Sequence, residues 1–208
     1  MKTILFQGDS ITDCGRDRND PASLGEGYAM LVARTLEEKY PGQFTFVNRG
    51  VSGDRVPLLY ERRQADIFDV KPDFMSILIG INDVWHTQIG KGVDIDTYVE
   101  VYDRLLGEIR QELPDTKLLL MEPFVNEGRA TAEDIEFFEG EVAMRSEAVQ
   151  MLCGKYDIPF LSLQFDLYDL EEQHPAGFWT RDGVHPTLNF HEYIAQKWVR
   201  AFELYLNK

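Results

Sequence analysis

Two short segments near opposite ends of the chain carry the residues most able to do chemistry. Gly8-Asp9-Ser10 follows the apolar run Ile4-Leu5-Phe6, and Asp182-Gly183-Val184-His185-Pro186 lies near the C-terminus. The first offers a serine hydroxyl; the second offers an imidazole with a carboxylate three positions before it. A serine hydroxyl is a poor nucleophile at its ordinary pKa. It attacks a carbonyl when a base takes its proton and a third group holds that base in the right tautomer. Ser10, His185 and Asp182 can fill those roles if the two segments meet in the folded chain. Each segment also has a plainer reading: an Asp-Ser pair in a loop is most often a turn or a helix cap, and Asp-Gly is a common surface turn. Among the other histidines, His191 falls inside a helical pattern and is expected to be a packed or solvated helix residue. His174 precedes Pro175 and has no evident partner. His86 follows Trp85 and is expected to line the substrate side of a pocket.

Acyl transfer passes through a tetrahedral oxyanion, which needs donors already aimed at it. Asn48-Arg49-Gly50-Val51-Ser52-Gly53 closes an apolar run with glycines that permit close backbone approach, so the Gly53 N–H is a candidate donor. Gly80-Ile81-Asn82-Asp83 closes another, and the Asn82 amide is a second candidate. The Ser10 N–H is the third. An ordinary turn glycine at 53 and a cap or Asx turn at 82 are the alternatives. No H-E-x-x-H or comparable spacing points to a metal, and no cofactor is expected.

These positions gain meaning from the elements around them. Apolar runs at 3–6, 44–47, 74–79, 117–121 and 159–163 read as strands, and helical patterns occupy 28–40, 56–68, 98–113, 132–156 and 188–206. Segments 15–27 and 85–96 read as loops. Strands separated by helices of this length imply βαβ units and a parallel sheet covered on both faces. Such strands read as unbroken apolar runs, as Ile77-Leu78-Ile79 does. Ligands of open α/β sheets bind beyond the carboxyl ends of the strands. Ser10, Gly53 and Asn82 each follow a strand, and the Asp182–His185 segment follows the last one, so four distant segments are expected at one edge. Trp85, Phe124 and Trp179 fall in segments expected to rim that edge, where sugar rings could stack on them. With Asp9 and His86 they are the candidate substrate-binding residues.

The chain has 208 residues and a net charge of −15, with 44% hydrophobic and 27% charged residues. One domain over residues 1–208 is expected. The acidic balance disfavours nucleic acid and anionic membrane surfaces as partners and leaves a neutral or cationic small molecule easier to admit. Cys14 and Cys153 make no disulfide framework. No apolar leader with a cleavage site follows Met1-Lys2-Thr3, and no run reaches the roughly 18 apolar residues of a membrane span. A cytoplasmic protein is expected.

The four blocks together resemble the SGNH hydrolases, also called the GDSL esterase/lipase family: Gly8-Asp9-Ser10, Gly53, Gly80-Ile81-Asn82-Asp83 and Asp182 with His185. The resemblance spans residues 8–186. It implies Ser10 as nucleophile, Gly53 and Asn82 as oxyanion donors, Asp182 and His185 completing the triad, and a flavodoxin-like sheet of order 2-1-3-4-5 in a three-layer α/β sandwich. The runs Gly8-Asp9-Ser10-Ile11-Thr12-Asp13-Cys14-Gly15-Arg16 and Ile79-Gly80-Ile81-Asn82-Asp83-Val84-Trp85 further resemble bacterial acetylxylan esterases of this family that act on xylo-oligosaccharides. Ile11 stands where the family name has leucine, a position with no chemical part. The resemblance implies removal of O-acetyl groups from short xylan-type oligosaccharides through an acyl-enzyme, and a homo-oligomer is a further expectation carried by it. The alternatives are a lysophospholipase or acyl thioesterase using the same triad, or a flavin-binding or receiver module on a similar sheet. A receiver wants a lysine at the end of its last strand, where this chain has Ser162-Leu163-Gln164.

Overall fold

The computed structural model describes residues 1–206. Five parallel strands form one sheet: β1 (Lys2–Gly8), β2 (Phe44–Asn48), β3 (Phe74–Leu78), β4 (Lys117–Met121) and β5 (Phe160–Leu161). Their spatial order is β2-β1-β3-β4-β5. The register sets Ile4 beside Phe46 and Phe74, and Ile77 beside Leu120. Successive strand residues face opposite sides, and here both sides are covered. Ile4, Phe6, Phe74, Leu119 and Met121 join one core with Tyr28, Val32, Trp198 and Phe202. Leu5, Met75, Ile77, Leu118 and Leu120 join the other with Leu59, Leu105, Ile109 and Val149. Two buried faces leave no polar alternation, which is why the strands read as continuous apolar runs.

The helices supplying these layers are α1 (Ser10–Asp13), α2 (Tyr28–Lys39), α3 (Val56–Glu61), α4 (Ile81–Trp85), α5 (Ile95–Glu112), α6 (Ile135–Tyr156), α7 (Gln164–Glu171) and α8 (Leu188–Leu206). Several boundaries depart from the sequence reading for identifiable reasons. Helix α5 begins three residues before the expected Tyr98 because the Asp94 carboxylate caps it, accepting from Thr97 N–H at 2.9 Å. The expected helix over 56–68 is divided: α3 ends at Glu61 and a π-helical turn follows at Gln64–Phe68. Strand β5 is shorter than the expected 159–163. The Glu122 carboxylate accepts the N–H groups of Leu163 and Gln164 at 2.6 and 2.9 Å and draws the chain out of the ladder into α7. The short helices α1 and α4 follow β1 and β3, and the expected loop 85–96 begins with a 3-10 turn at His86–Ile89.

Strand β1 lies between β2 and β3, so the chain reverses direction across the sheet between those neighbours. A crevice opens beyond the carboxyl ends of strands at such a switch point. Ser10, Gly53 and Asn82 stand just past the ends of β1, β2 and β3 respectively.

Candidate active site

Asp9 caps α1, its carboxylate accepting from Ile11 N–H at 2.9 Å, and this tight strand-to-helix turn presents Ser10 as the first helical residue. The Ser10 hydroxyl oxygen lies 3.0 Å from Nε2 of His185, across 175 positions of sequence. His185 Nδ1 lies 2.9 Å from Oδ2 of Asp182. A carboxylate only accepts, so Nδ1 carries the proton and Nε2 offers its lone pair to the Ser10 hydroxyl. The other Asp182 oxygen accepts from the backbone N–H groups of Val184 and His185 at 3.1 and 2.8 Å. Partial burial pushes the Asp182 carboxyl up, but the hydrogen bonds from the His185 backbone and ring and from Val184 N–H outweigh it and hold it below the ordinary aspartate value. Asp182 therefore stays ionised, and the imidazole stays oriented, throughout the neutral range.

Gly53 adopts φ +83°, a left-handed conformation that residues with a Cβ seldom take. A Cβ there would meet nothing closer than His86 Cε1 at 3.8 Å, so backbone conformation rather than lack of space calls for glycine. Asn82, in the first turn of α4, donates through Nδ2 to the Asp54 carbonyl at 3.1 Å. A carbonyl acceptor fixes which end of the amide faces the loop, and the second N–H of that nitrogen remains for another acceptor. Asp83 next to it accepts from Val56 N–H at 3.0 Å. Arg62 adds a further tie: its guanidinium donates to the Asp54 carboxylate and to the carbonyls of Arg49 and Gly8.

Two depressions flank the Ser10–His185 pair. One, of about 380 Å3, is lined by Gly53, Asn82, Trp85, His86 and Ile89. The Trp85 ring stands 5.7 Å from that of His185. Burial, with the charges of Arg55 and Lys91, lowers the pKa of His86. The other, of about 580 Å3, is lined by Cys14, Glu26, Arg181, Leu188 and His191. In the sequence, Glu26 and Arg181 each read as one charge among many. Their place beside Ser10 depends on how loop 15–27 and the hairpin around Asp182 fold over α1.

Three of the expected substrate contacts are buried side chains. Asp9 is 1% exposed and Phe124 is fully buried, its ring 5.0 Å from that of Phe190. Trp179 is 8% exposed and donates its indole N–H to the Leu170 carbonyl at 2.9 Å. Each aromatic stands near the right edge in sequence, but packing draws its ring inward to the core. Trp85 and His86 do line a depression. His191 is buried as a packed helix residue. Its Nδ1 accepts from Tyr28 N–H at 3.1 Å, so its proton is on Nε2, which lies 3.4 Å from Cys14 Sγ. Burial, with the charges of Arg181 and His185, pushes its pKa down to about 4. His174 is exposed and stacks on Phe178 at 4.3 Å. Both cysteines are free, and burial raises both thiols, Cys153 to about 12. Among the described residues, no group of three His, Cys, Asp or Glu side chains could hold a metal ion, and no helix is long and apolar enough to cross a membrane.

The chain matches the GDSL-like lipase/acylhydrolase family over residues 6–193. It is 32% identical over 207 residues to an acetylxylan esterase of Geobacillus stearothermophilus, covering 95% of this chain and 92% of that one. A crystal structure from Parabacteroides merdae, described as a GDSL-like lipase, superposes with a TM-score of 0.91 at 37% identity over 98% of this chain and 96% of the other. The crystal structure of the Geobacillus esterase superposes at 0.85 with 31% identity, over 96% and 93% of the two chains. The chain therefore belongs to the GDSL-like lipase/acylhydrolase family and is a serine esterase.

Proposed function

We propose that Ser10, His185 and Asp182 form the catalytic set, that Ser10 N–H, Gly53 N–H and Asn82 Nδ2–H receive the oxyanion, and that the substrate is a short acetylated oligosaccharide of the xylan type. The observation that carries the chemistry is the unbroken relay from Ser10 Oγ to His185 to Asp182, at 3.0 and 2.9 Å. His185 Nε2 takes the hydroxyl proton as Oγ bonds to the acetyl carbon, and the carbonyl electron pair moves onto oxygen. The tetrahedral oxyanion collapses and expels the sugar oxygen, which leaves as the alcohol with the proton from Nε2. Water then attacks the acetyl-enzyme by the same route and releases acetate and free Ser10. The Asp182 carboxylate keeps the imidazole upright and offsets the charge it gains in each step.

The substrate class is supported by the relatives. The Geobacillus protein is an acetyl-xylooligosaccharide esterase, and its catalytic mutants are at a serine, a histidine and an aspartate. It is supported also by a site that opens to both sides of Ser10, with Trp85 offering a flat apolar face to a sugar ring on one side. The test compares kcat/KM for acetylated xylo-oligosaccharide, a lysophospholipid and a short acyl thioester. The expected preference for the acetylated sugar is at least about 100-fold, a transition-state difference near 2.7 kcal/mol. Equal values, or a preference for the lipid or thioester, would overturn the substrate assignment and leave the esterase chemistry standing.

A further inference from the structure

The segment from Arg49 to Arg55 has no helix or strand of its own, although a donor in an oxyanion site must hold its place to within a fraction of an ångström. Within this segment, Ser52 is tied to α1 by one carboxylate, while Arg16 and Asn48 hold Gly50. Asp13, the last residue of α1, is 3% exposed. Its Oδ2 accepts from Ser52 N–H at 3.0 Å, from Ser52 Oγ–H at 2.8 Å and from Arg18 Nη2 at 2.7 Å. The backbones are pressed together two residues earlier: a Cβ on Gly50 would stand 2.3 Å from Asp13 N. Asn48 closes the same seam, donating to the Thr12 carbonyl at 2.7 Å and accepting from Gly50 N–H at 2.8 Å. Gly53 thus sits between Ser52, tied to α1 by Asp13, and Asp54, tied by Asn82 and Arg62. Helix α1 begins with Ser10 and ends with Asp13, so the nucleophile and this tie share one rigid turn.

We propose that Asp13 is a positioning residue for catalysis: through Ser52 it sets the Gly53 N–H at a fixed distance from Ser10. The proposal rests on the roles given above to Ser10 and Gly53. Distance, not charge, is the quantity Asp13 controls. All three hydrogen bonds converge on one oxygen, and an asparagine carbonyl oxygen can occupy the same point and accept from Ser52. A glutamate keeps the charge but moves the oxygens outward by a methylene. Asp13→Asn should therefore be tolerated better than Asp13→Glu, the reverse of what charge alone would give.

The test measures kcat and KM on 4-nitrophenyl acetate, a small ester that does not depend on the sugar assignment, together with thermal melting. Asp13→Ala and Asp13→Glu are expected to lower kcat about 10- to 100-fold with KM little changed, since small misplacements act on the transition state. Asp13→Asn should stay within about threefold of wild type. Arg18→Ala, which removes the third donor from the surface side, should stay within about twofold. Should Asp13→Ala fail to fold, the order of Asp13→Asn and Asp13→Glu decides. Equal losses in those two, a glutamate better than the asparagine, a KM rise at constant kcat, or wild-type kinetics throughout would each overturn the proposal. Ser10→Ala is assayed alongside. If it keeps its activity, the assignment of the nucleophile has failed, an outcome distinct from any of these.

Discussion

Ser10 and Asn82 directly follow β1 and β3, and the segment carrying Gly53 is bonded back to β1, whereas Asp182 and His185 ride on a hairpin resting on a neighbouring loop. On the first side, Arg49 N–H donates to the Phe6 carbonyl, Val51 N–H to the Gly8 carbonyl, and Arg62 again to Gly8. On the second side, Thr180 and Pro186 form an isolated antiparallel bridge, closed by Arg181 N–H on the His185 carbonyl and Thr187 N–H on the Trp179 carbonyl. That hairpin docks on the segment after β4, where Asn126 and Ala130 donate to the carbonyls of Gly183 and Asp182. The difference matches what each half does. Oxyanion donors must be in place before charge develops, because reorganisation during the reaction is what they save. A base that serves first the serine and then the leaving oxygen needs its orientation fixed more than its position.

Removing the chemistry from either half gives the largest effects. Ser10→Ala and His185→Ala should each lower kcat by roughly 10⁴ to 10⁶ with the melting temperature held, and the double variant should be hardly worse than either single one. Additive losses would mean that the two residues do not act as a unit. Asp182→Asn should cost about 10⁴, since an amide can present N–H to Nδ1 and favour the wrong tautomer. A loss under tenfold would show that the imidazole is oriented without it. On the other half, Asn82→Ala should cost on the order of 10² to 10³ in kcat. An effect confined to KM would move Asn82 from the oxyanion to substrate binding.

Displacing one half against the other is a subtler test of the comparison. Gly128 lies under the hairpin, and a Cβ there would stand 2.2 Å from Gly183 N and 2.3 Å from the Asp182 carbonyl carbon. Gly128→Ala must push the base segment away from Ser10 and should lower kcat roughly 10- to 100-fold. The rate at which a serine-directed phosphonate labels Ser10 should fall in parallel, as read by mass spectrometry. Labelling at the wild-type rate would show that the hairpin absorbs the displacement without moving His185.

The chemistry of the site was more legible in the sequence than its support. Strands buried on both faces announce themselves as apolar runs, and the rule that ligands lie beyond strand ends then gathers Ser10, Gly53 and Asn82. The side chains that hold those groups do not announce themselves. Asp13, Asp83 and Glu122 are almost wholly buried, yet in sequence they are three acidic residues in a chain that has 36, and their value comes from distant backbone N–H groups they accept from. Helix α7 is silent for a related reason: only Leu167 on it is buried, so it has no apolar stripe to read. Phe124 and Trp179 show the converse failure. Sequence places an aromatic near an edge, but the choice between core and rim is made by the neighbours its ring finds.

Asp9 offers the smallest expected effect, and one that separates stability from chemistry beneath the nucleophile. One of its oxygens caps α1; the other is buried without a hydrogen-bond partner. Burial pushes the carboxyl up to about 7, aided by the charge of Asp54; Ile11 N–H and the Arg62 charge pull the other way. A carboxyl whose pKa is higher folded than unfolded binds its proton more tightly in the native state. It therefore favours folding most below its unfolded pKa, near 4, and that contribution is lost as the pH rises toward 7. Asp9→Asn keeps a capping oxygen for Ile11 N–H and has no charge to bury. The melting temperature of the variant relative to wild type should increase from pH 4 to pH 8, by a shift on the order of a few °C. A difference constant across that range would mean that Asp9 is ionised, and adequately solvated or paired, in the folded protein.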